Sequence, residues 1–461
     1  MQIDIIDAFS EILQANQILV KEELSNRYTH IWTMDVPLKA KAVLLPQSTE
    51  ELSAIMKICH AYKQPVVVHG GLTNLVGATE TSEQEVVIAM EKMNQVLEID
   101  EQSRTMTIQA GVILENIQQA AEEKNLLFPL NFGAKGSAQI GGIISTNAGG
   151  LRVFRYGMTR NLVLGLEAVM ADGTIISSLK KIIKDNSAYD LKQLFIGSEG
   201  TLGIVTKAIL KLVEAPKSRT SAFVAFDDYN NVITFLKYMD QHMAGTLSGF
   251  ELIWGNSYKA MTSPPASQKP PIPQGYQYYV LLEGLGAQPH KDQELLEKLL
   301  ANAFEKEMIA DAAIASSSAD LEWFWKIRED VHVLSSQCQH DQHFDISLPI
   351  PNIGEVIENI TIQLHEIPEV EKVFAFGHVA DGNIHFIIGK SLQSDDLVRR
   401  INNVVYGPLQ KLGGSVSAEH GIGLHKKNYL SLCRTEEEIQ LMKTLKKALD
   451  PNRILNRGKV L

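Results

Sequence analysis

The sequence predicts an α+β fold in two parts, and three observations lead to this prediction. In the first part, predicted strands and helices alternate around three glycine-dense stretches, Gly70–Gly77, Gly133–Gly150 and Gly197–Gly203. After Pro216 the predicted elements follow the order βαββαβ, which is typical of an antiparallel sheet with helices on one face. Hydrophobic residues make up 45% and charged residues 21% of the 461 residues, the ordinary mixture of a globular protein.

Local signals place the elements of the first part. A helix opens at Ser48, with Glu51 in the position of a capping box, and ends near Tyr62. Short apolar runs bounded by turn residues predict four strands: Lys39–Pro46, Pro65–His69, Leu162–Met170 and Thr174–Ser178.

The elements of the second part predict a ferredoxin-like module. Its four predicted strands are Ser221–Phe226, Leu247–Trp254, Gln277–Gly286 and Ile309–Ser316. Its helices are predicted over Tyr229–Met239 and Asp292–Phe304. A further strand–helix–hairpin–helix series follows, and the last helix, Glu436–Leu449, stops before Pro451. These elements divide the chain into residues 1–215, 216–424 and 425–461.

Charge, cysteine content and the N-terminus exclude several classes of protein. Lys and Arg total 43 and Asp and Glu total 54, a net charge of −11, which argues against a nucleic-acid or polybasic membrane partner. Three scattered cysteines are too few for a disulfide framework or an iron–sulfur cluster. Met1–Leu13 predicts an amphipathic helix rather than a signal peptide, so we expect a cytoplasmic protein without an integral membrane segment.

The glycine-dense stretches indicate a nucleotide site. Glycine lets backbone N–H groups approach a pyrophosphate and adopt positive φ. Turns alone would explain one such stretch, but three stretches within Gly70–Gly203 favour a binding site. No G-x-G-x-x-G motif follows a strand and opens a helix, which argues against a Rossmann domain.

Four runs of the sequence resemble a known superfamily: residues 65–77 (PVVVHGGLTNLVG), 128–150 (FPLNFGAKGSAQIGGIISTNAGG), 197–206 (GSEGTLGIVT) and 450–459 (DPNRILNRGK). They resemble the FAD-binding domain of the vanillyl-alcohol oxidase/p-cresol methylhydroxylase superfamily. Within it the chain is similar to the FAD-linked D-2-hydroxyacid dehydrogenases. That group includes D-2-hydroxyglutarate dehydrogenases, D-lactate dehydrogenases and the glycolate oxidase flavoprotein subunit. The resemblance spans about residues 35–461.

The resemblance implies a two-subdomain FAD-binding domain over residues 1–215 and a substrate- and metal-binding cap over 216–424. Residues 425–461 would return to the FAD domain. His69 stands where the family usually has arginine, and Arg457 where it has proline. The attachment histidine of the superfamily follows the glycine pair rather than preceding it, so we expect non-covalent FAD. The implied cofactor contacts are His69, Gly70, Gly71, Leu72, Thr73, Asn74, Leu75, Gly133, Ala134, Ser137, Gly141, Gly142, Asn147, Gly149, Ile204, Val205 and Asn456.

Ten of the 13 histidines lie beyond residue 240, and some of them form a metal-ligand pattern. Asp381-Gly382 predicts a two-residue hairpin turn that places His378 directly opposite His385, near enough for both to reach one ion. Glu419 follows on a glycine-rich turn, and two histidines with a carboxylate suit zinc or another divalent ion. The alternatives are a solvated hairpin face for the histidines and an ordinary helix cap or ion pair for Glu419.

The same resemblance assigns roles to these residues. The motifs G-H-x-G-D-G-N-x-H and S-x-E-H-G-x-G imply that His378, His385 and Glu419 are metal ligands and that His420 is the base. Ala380 replaces the usual glycine of the first motif. A metal-bound hydroxyl loses its proton more easily, a histidine of near-neutral pKa accepts that proton, and FAD N5 accepts the hydride.

Substrate contacts are predicted at four positions. Arg328, in a predicted helix over Glu322–Leu334, matches the arginine that binds the substrate carboxylate in the family. His332 would follow it by one turn on the same face. His343 stands where D-2-hydroxyglutarate dehydrogenases carry a lysine for the distal carboxylate, and Asn383 completes the set.

We therefore expect FAD-dependent, metal-assisted oxidation of a D-lactate-like or D-2-hydroxyglutarate-like acid to the 2-oxo acid. Electrons would pass to a carrier such as an electron-transfer flavoprotein or to a quinone, and a homodimer is an expected assembly. One alternative is a glycolate oxidase flavoprotein subunit. Others are a non-redox transferase of the alkylglycerone-phosphate synthase type and an inactive subunit that binds FAD structurally.

Overall fold

A computed structural model of the protein describes residues 4–461. The chain forms two compact units. The first unit comprises the residues up to Gly149, Gly157–Ala215 and Glu419–Leu461. The second unit comprises Gly150–Tyr156 and Pro216–Ala418.

The strands of the described residues are, in chain order, β1 (Ile18–Leu19), β2 (Ala42–Leu44), β3 (Val66–His69), β4 (Val86–Ala89), β5 (Val96–Asp100), β6 (Thr105–Gln109), β7 (Leu126–Leu127), β8 (Val163–Val169), β9 (Ile175–Ser178), β10 (Ile204–Lys211), β11 (Val213–Glu214), β12 (Ser218–Phe226), β13 (Leu247–Trp254), β14 (Tyr278–Gly286), β15 (Asp311–Ile314), β16 (His340–Ser347), β17 (Val370–His378) and β18 (Asn383–Lys390).

The α-helices are α1 (Ile5–Ser10), α2 (Thr49–Tyr62), α3 (Leu114–Glu122), α4 (Ile140–Thr146), α5 (Val153–Tyr156), α6 (Thr159–Leu162), α7 (Lys192–Phe195), α8 (Tyr229–Met243), α9 (Gly255–Met261), α10 (Pro289–Glu305), α11 (Ser318–Glu329), α12 (His332–Ser335), α13 (Ile353–His365), α14 (Asp395–Tyr406), α15 (Leu409–Leu412) and α16 (Glu436–Leu449).

The first unit contains a four-stranded sheet in the order β1-β2-β4-β3, in which β2, β4 and β3 run parallel. Helix α2 connects β2 and β3, and its Ser48 cap accepts a hydrogen bond from the Glu51 N–H, as predicted. The C-terminal segment adds to the free edge of β3, because the Val66 N–H donates to Ile454 O and the Asn456 N–H donates to Val66 O. Residue 456 is thereby brought beside β3.

A five-stranded antiparallel sheet completes the first unit, in the order β5-β6-β10-β8-β9. The predicted strands Leu162–Met170 and Thr174–Ser178 are β8 and β9, paired as a hairpin. The apolar side chains of α2 recur at helical spacing and therefore lie on one face of the helix. This face is fully buried in the core of the first unit through Leu52, Ile55, Met56 and Cys59.

The second unit is built on a seven-stranded antiparallel sheet in the order β15-β12-β14-β13-β17-β18-β16. The first four strands of this unit along the chain are β12, β13, β14 and β15, and across the sheet they lie in the order β15-β12-β14-β13. Helices α8 and α10 pack against each other and against these strands. This arrangement confirms the ferredoxin-like module, and three later strands extend its sheet.

The register of the β17–β18 hairpin differs from the prediction. Phe376 pairs with His385, whereas His378 pairs with Glu251 of β13. The turn is longer than two residues, because Val379 and Ala380 are buried apolar residues that form a 3-10 turn closed by Gly382 at φ +85°. The predicted direct opposition of His378 and His385 was therefore wrong. The two rings are still neighbours, with centroids 5.3 Å apart.

The helix predicted over Glu322–Leu334 is interrupted. Helix α11 ends at Glu329, Asp330 has a non-helical ψ of 58°, and a separate short helix begins at His332. Aspartate competes for backbone hydrogen bonds and so favours helix ends. The prediction that His332 lies one helical turn after Arg328 on the same face was therefore wrong.

The predicted N-terminal helix over Met1–Leu13 is shorter in the structure. Helix α1 begins after Asp4, whose side chain accepts from the Ile6 N–H, and ends at Ser10. The first three residues of the prediction lie outside the described residues. Within the described part of the chain, no helix has the length and apolar character needed to cross a membrane.

Candidate active site

The loop after β3 lies against the loop that precedes α4. A Cβ atom on Gly71 would stand 2.0 Å from the carbonyl oxygen of Ser137, so only glycine permits this approach of two backbones. A Cβ on Gly70 would stand 3.9 Å from the Gly142 nitrogen. The structure thus brings together two of the glycine-dense stretches that the sequence assigned to one cofactor.

The glycines of the second stretch have two different tasks. A Cβ on Gly133 or on Gly142 would meet no other described atom within 4 Å, so the backbone is open to a ligand at both positions. Gly141 is buried instead, and a Cβ there would stand 2.8 Å from Ala110 Cβ. Gly141 therefore allows α4 to pack closely, and its predicted contact with FAD stays a prediction.

Gln139, which the sequence interpretation did not include, offers a free acceptor at this place. Its Oε1 is buried and has no hydrogen-bond partner among residues 4–461. The same atom would stand 3.6 Å from a Cβ on Gly70. An unsatisfied buried oxygen beside open glycines fits a site for a polar cofactor.

Two predicted asparagines support the shape of the site with their own side chains. Asn74 Oδ1 accepts from the N–H groups of Val76 and Ala78 and so bends the loop after β3. Asn147 adopts φ +52° after α4, and its Oδ1 accepts from the Arg160 N–H. Contacts of both residues with FAD stay predictions.

Asn456 connects three segments of the first unit. Its Oδ1 accepts from the Val68 N–H at 3.1 Å, and its Nδ2 donates to the Glu199 carbonyl at 2.6 Å. These bonds join the C-terminal segment to β3 and to the stretch Gly197–Gly203. The motif match placed Asn456 here, but only the fold shows that its amide is used for this connection.

The other predicted cofactor residues vary in exposure. Leu75 is exposed, whereas Ile204 and Val205 are buried in the core at the start of β10. The backbone oxygens of Leu72 and Thr73 accept hydrogen bonds from the Ile31 N–H and from Trp32 Nε1. Ala134 packs against the core, and Gly149 is the buried last residue of its segment of the first unit.

His69 is buried at the end of β3, and its Nε2 hydrogen-bonds the Thr79 carbonyl at 2.9 Å. Burial lowers the pKa of its imidazole to about 4. A neutral ring that donates from Nε2 to a carbonyl suits a packing role and the prediction of non-covalent FAD.

Stability is expected to fall in acid because of His69. Its pKa is about 4 in the folded protein, against about 6.5 when the chain is unfolded. Its contribution is complete above about pH 6.5 and is lost as the pH falls towards 4, a loss on the order of 3 kcal/mol. Urea unfolding at pH 7 and pH 4.5 measures this loss. His69→Gln, which keeps an N–H donor, should reduce it. His365→Gln, at an exposed histidine, should leave the loss of stability in acid unchanged. Equal pH dependence of the free energy of unfolding in the wild type and in His69→Gln would contradict the role assigned to His69.

Glu199 anchors the turn that follows His420. Its carboxylate accepts from the N–H groups of Ile422 and Gly423 at 2.7 and 2.9 Å. A Cβ on Gly421 would stand 2.9 Å from the Glu199 carboxyl carbon, and the residue has φ +87°. Burial raises the pKa of Glu199, although the two amides oppose this shift. Gly421 is therefore needed for the turn to pass this close to a buried carboxylate.

In the second unit, Arg328 is buried and paired. Its Nε and Nη2 both lie 2.8 Å from Oε2 of Glu251, and its guanidinium lies over the ring of Phe376 at 4.7 Å. The other carboxylate oxygen of Glu251 contacts His378 Nδ1. Burial raises the pKa of Glu251, but the charges of His378 and Arg328 outweigh it and hold that pKa below its ordinary value. The sequence interpretation did not include Glu251, although a glutamate within an otherwise apolar predicted strand could have indicated a functional residue.

Asp345 is a second carboxylate that the sequence interpretation missed. It is buried on β16 directly opposite His385, and His385 Nδ1 lies 3.7 Å from its Oδ1. Asn383 Nδ2 donates to Asp345 Oδ1 at 2.8 Å, and the Ala418 N–H donates to Oδ2 at 3.1 Å. Asn383 Oδ1 is buried without a hydrogen-bond partner in the described chain, so it remains available for a ligand.

Two of the predicted metal ligands come together in the second unit, where one ligand nitrogen of His378 lies within 4.8 Å of one of His385. A carboxylate oxygen of Asp345 meets the same criterion with His385. Coordination of the same ion by Glu419 and the role of His420 as the base stay predictions. Imidazole nitrogens with a carboxylate form the donor set that zinc accepts, so these residues fit a divalent ion.

The two histidines predicted to select the substrate side chain are exposed. His343 Nε2 bonds Asp341 Oδ2 at 2.8 Å and Ser335 Oγ at 3.2 Å, and its hydrogen bond lowers the pKa of Asp341 to about 2. His332 begins α12. Neither belongs to the ligand groups found among the described residues, and their contacts with substrate stay predictions.

Comparison with known proteins defines the class first. Residues 40–178 match the FAD binding domain family, and residues 215–460 match the C-terminal domain of FAD linked oxidases. The protein is an oxidoreductase with an FAD-binding domain. The chain belongs to the family of FAD-linked oxidases, and its relatives include D-2-hydroxyglutarate dehydrogenases.

Three relatives illustrate this similarity. The mitochondrial D-2-hydroxyglutarate dehydrogenase of Arabidopsis thaliana is 37% identical over 457 residues, covering 99% of this chain and 81% of the relative. The D-2-hydroxyglutarate dehydrogenase of Stutzerimonas stutzeri is 34% identical over 464 residues, covering 99% and 98%. A putative mitochondrial D-lactate dehydrogenase of Schizosaccharomyces pombe is 37% identical over 426 residues, covering 90% and 81%.

Solved structures agree on the fold. Alkyldihydroxyacetonephosphate synthase is 16% identical with a TM-score of 0.76, covering 99% of this chain and 86% of that one. p-Cresol methylhydroxylase with substrate bound is 15% identical with a TM-score of 0.75, covering 99% and 96%. These likenesses show the fold alone, and they confirm the predicted class.

Proposed function

We propose that the protein oxidises a D-2-hydroxy acid to the 2-oxo acid with FAD and a divalent metal ion. The observation that carries this proposal is the pair His378 and His385 in the second unit, whose ligand nitrogens lie within 4.8 Å of each other. Glu419, from the second matched motif, is proposed as the third ligand. Relatives at 34–37% identity that are named D-2-hydroxyglutarate dehydrogenases support D-2-hydroxyglutarate as the substrate.

Each residue of the proposed site has a separate role in the reaction. Bound FAD supplies the hydride acceptor, and an ion held by His378, His385 and Glu419, with zinc favoured, supplies a Lewis acid for the substrate hydroxyl. His420 accepts the hydroxyl proton, since a positioned imidazole is a common general base. Arg328 binds the substrate carboxylate, because its planar guanidinium matches that group, and Asn383 Oδ1 accepts from a substrate hydroxyl.

A D-lactate-like monocarboxylate is the second candidate substrate. His343, proposed to face the distal end of the substrate, already bonds the ionised carboxylate of Asp341. Like charges repel, so Asp341 disfavours a second substrate carboxylate at this place. The D-lactate dehydrogenase among the relatives agrees with this alternative.

Anaerobic bleaching of the flavin tests the function. D-2-Hydroxyglutarate should reduce the bound FAD rapidly, and the L-enantiomer should not. D-Lactate, glycolate and D-malate complete the panel, and faster bleaching by D-lactate would favour the second candidate. A protein whose flavin is reduced by none of these acids would contradict the proposal and favour an FAD-binding subunit without this activity.

Removal of the metal is expected to abolish most turnover. Dialysis against a chelator should lower kcat while FAD stays bound, and Zn²⁺ should restore the activity. His378→Ala should reproduce the loss, because a ligand is missing, whereas exposed His365→Ala should behave as wild type. Full activity of both the chelated protein and His378→Ala would contradict the metal site.

Electrons are proposed to leave the reduced flavin to a carrier protein such as an electron-transfer flavoprotein, or to a quinone. Turnover with each acceptor, compared with turnover in air, tests this step, and rapid reoxidation in air would indicate an oxidase. The cytoplasmic location and the homodimer stay predictions.

A further inference from the structure

Glu251 is a buried carboxylate that contacts residues with two different proposed tasks. It lies in the middle of β13 and has no exposed surface. Oε1 contacts Nδ1 of His378, a proposed metal ligand, and Oε2 contacts Nε and Nη2 of Arg328, the proposed substrate arginine. A single side chain therefore connects the proposed metal and substrate sites within one sheet.

The register of the sheet produces this contact. Glu251 pairs with His378 across β13 and β17, so the two side chains lie on the same face and next to each other. Phe376, two residues earlier on β17, supports the Arg328 guanidinium from its ring face and lies 5.3 Å from the His385 ring. The arginine is thus held between a carboxylate and an aromatic ring.

A stabilising ion pair alone would not require a histidine. The same sheet contains a second fully buried glutamate, Glu283, which pairs with Arg152 and Arg219 and accepts from Ser248. Two arginines compensate that buried charge. Glu251 has one arginine and uses its other oxygen for a ring nitrogen, which is the arrangement in which a carboxylate orients a metal-binding histidine.

We propose that Glu251 is a positioning residue for both halves of the site. By accepting the Nδ1–H of His378 it selects the tautomer whose Nε2 can bind the ion, and through its other oxygen it holds Arg328 for the substrate carboxylate. This inference rests on the proposed function. It implies that loss of this one carboxylate weakens binding of both the metal and the substrate, although Glu251 touches neither.

Zinc titration of the FAD-loaded, metal-free enzyme tests the inference, with Glu251→Gln as the variant and Glu283→Gln as the matched control. Both changes remove a fully buried carboxylate from adjacent strands of one sheet. Glu251→Gln should weaken Zn²⁺ binding by about 10–100-fold and raise KM for the hydroxy acid. Glu283→Gln should leave both quantities near the wild type.

Three outcomes separate the ideas. The positioning role would be overturned, while the proposed function stands, if Glu251→Gln left zinc affinity and KM unchanged. It would also be overturned if Glu283→Gln weakened zinc binding and raised KM to the same extent. A wild-type enzyme that binds no zinc would overturn the proposed metal site itself and the inference with it. If Glu251→Gln does not fold, Glu251→Asp keeps the charge at a shorter reach. An intermediate Zn²⁺ affinity for that variant supports the role, and wild-type affinity overturns it.

Discussion

Replacing His420 by glutamine is expected to lower the rate constant of anaerobic flavin reduction by about 10²–10⁴-fold, the usual contribution of a positioned general base. Glutamine can form hydrogen bonds but cannot accept the hydroxyl proton at neutral pH. FAD content should stay at the wild-type value, because Glu199 anchors the turn through the Ile422 and Gly423 amides, and the substitution leaves these bonds in place. Stopped-flow absorbance with the best acid of the panel measures the rate constant.

His425→Gln is the matched control for this experiment. His425 lies on the same returning segment, but its side chain is 57% exposed and its Nε2 bonds Glu80. The control should reduce its flavin at the wild-type rate. Wild-type reduction by the His420 variant would remove the proposed base, and equal losses in both variants would point to a general disturbance of the segment.

Replacing Gly71 by alanine is expected to prevent assembly of the FAD site. The new Cβ would meet the Ser137 carbonyl oxygen at 2.0 Å, and this backbone atom cannot rotate away as a flexible side chain would. Overpacking costs about 1–3 kcal/mol where the surroundings can relax, and more where they cannot. We expect a lower free energy of unfolding and little flavin in the purified protein, measured by urea unfolding and by flavin absorbance per chain.

Gly133→Ala separates folding from cofactor binding. A Cβ at this position meets no described atom within 4 Å, so the apoprotein should unfold at the wild-type urea concentration. If FAD occupies the open space, flavin content should still fall. A Gly71→Ala protein with wild-type stability and flavin content would show that the two loops move apart at little cost.

Much of the fold was predictable from the sequence because the signals are local. The capping box at Ser48 and the apolar spacing after it predicted α2 from the correct first turn to Tyr62. β13 and α16 have the bounds that the sequence predicted, since one is an apolar run between turns and the other ends before Pro451. The glycine-dense stretches likewise indicated a nucleotide site, because close backbone approach leaves few other residue types, and the resemblance of these runs to a known superfamily identified that site as an FAD-binding domain.

The errors arose where tertiary packing competes with a local rule. Asp381-Gly382 predicts a two-residue turn, yet Val379 and Ala380 are buried and belong to a longer turn. The strand register therefore shifts, and His378 pairs with Glu251 instead of His385. The apolar pattern through Leu334 predicts one helix, but the chain breaks it after Glu329.

The sequence by itself therefore determined the class of the protein, the FAD half, and the two histidines and the acidic residue proposed to bind a metal. Only the tertiary structure placed Glu251 between Arg328 and His378, Asp345 opposite His385, and Glu199 beneath the turn of His420. A buried carboxylate is tolerated where partners distant in the chain compensate its charge. Such partners are chosen by strand order and register, which no local pattern of residues specifies.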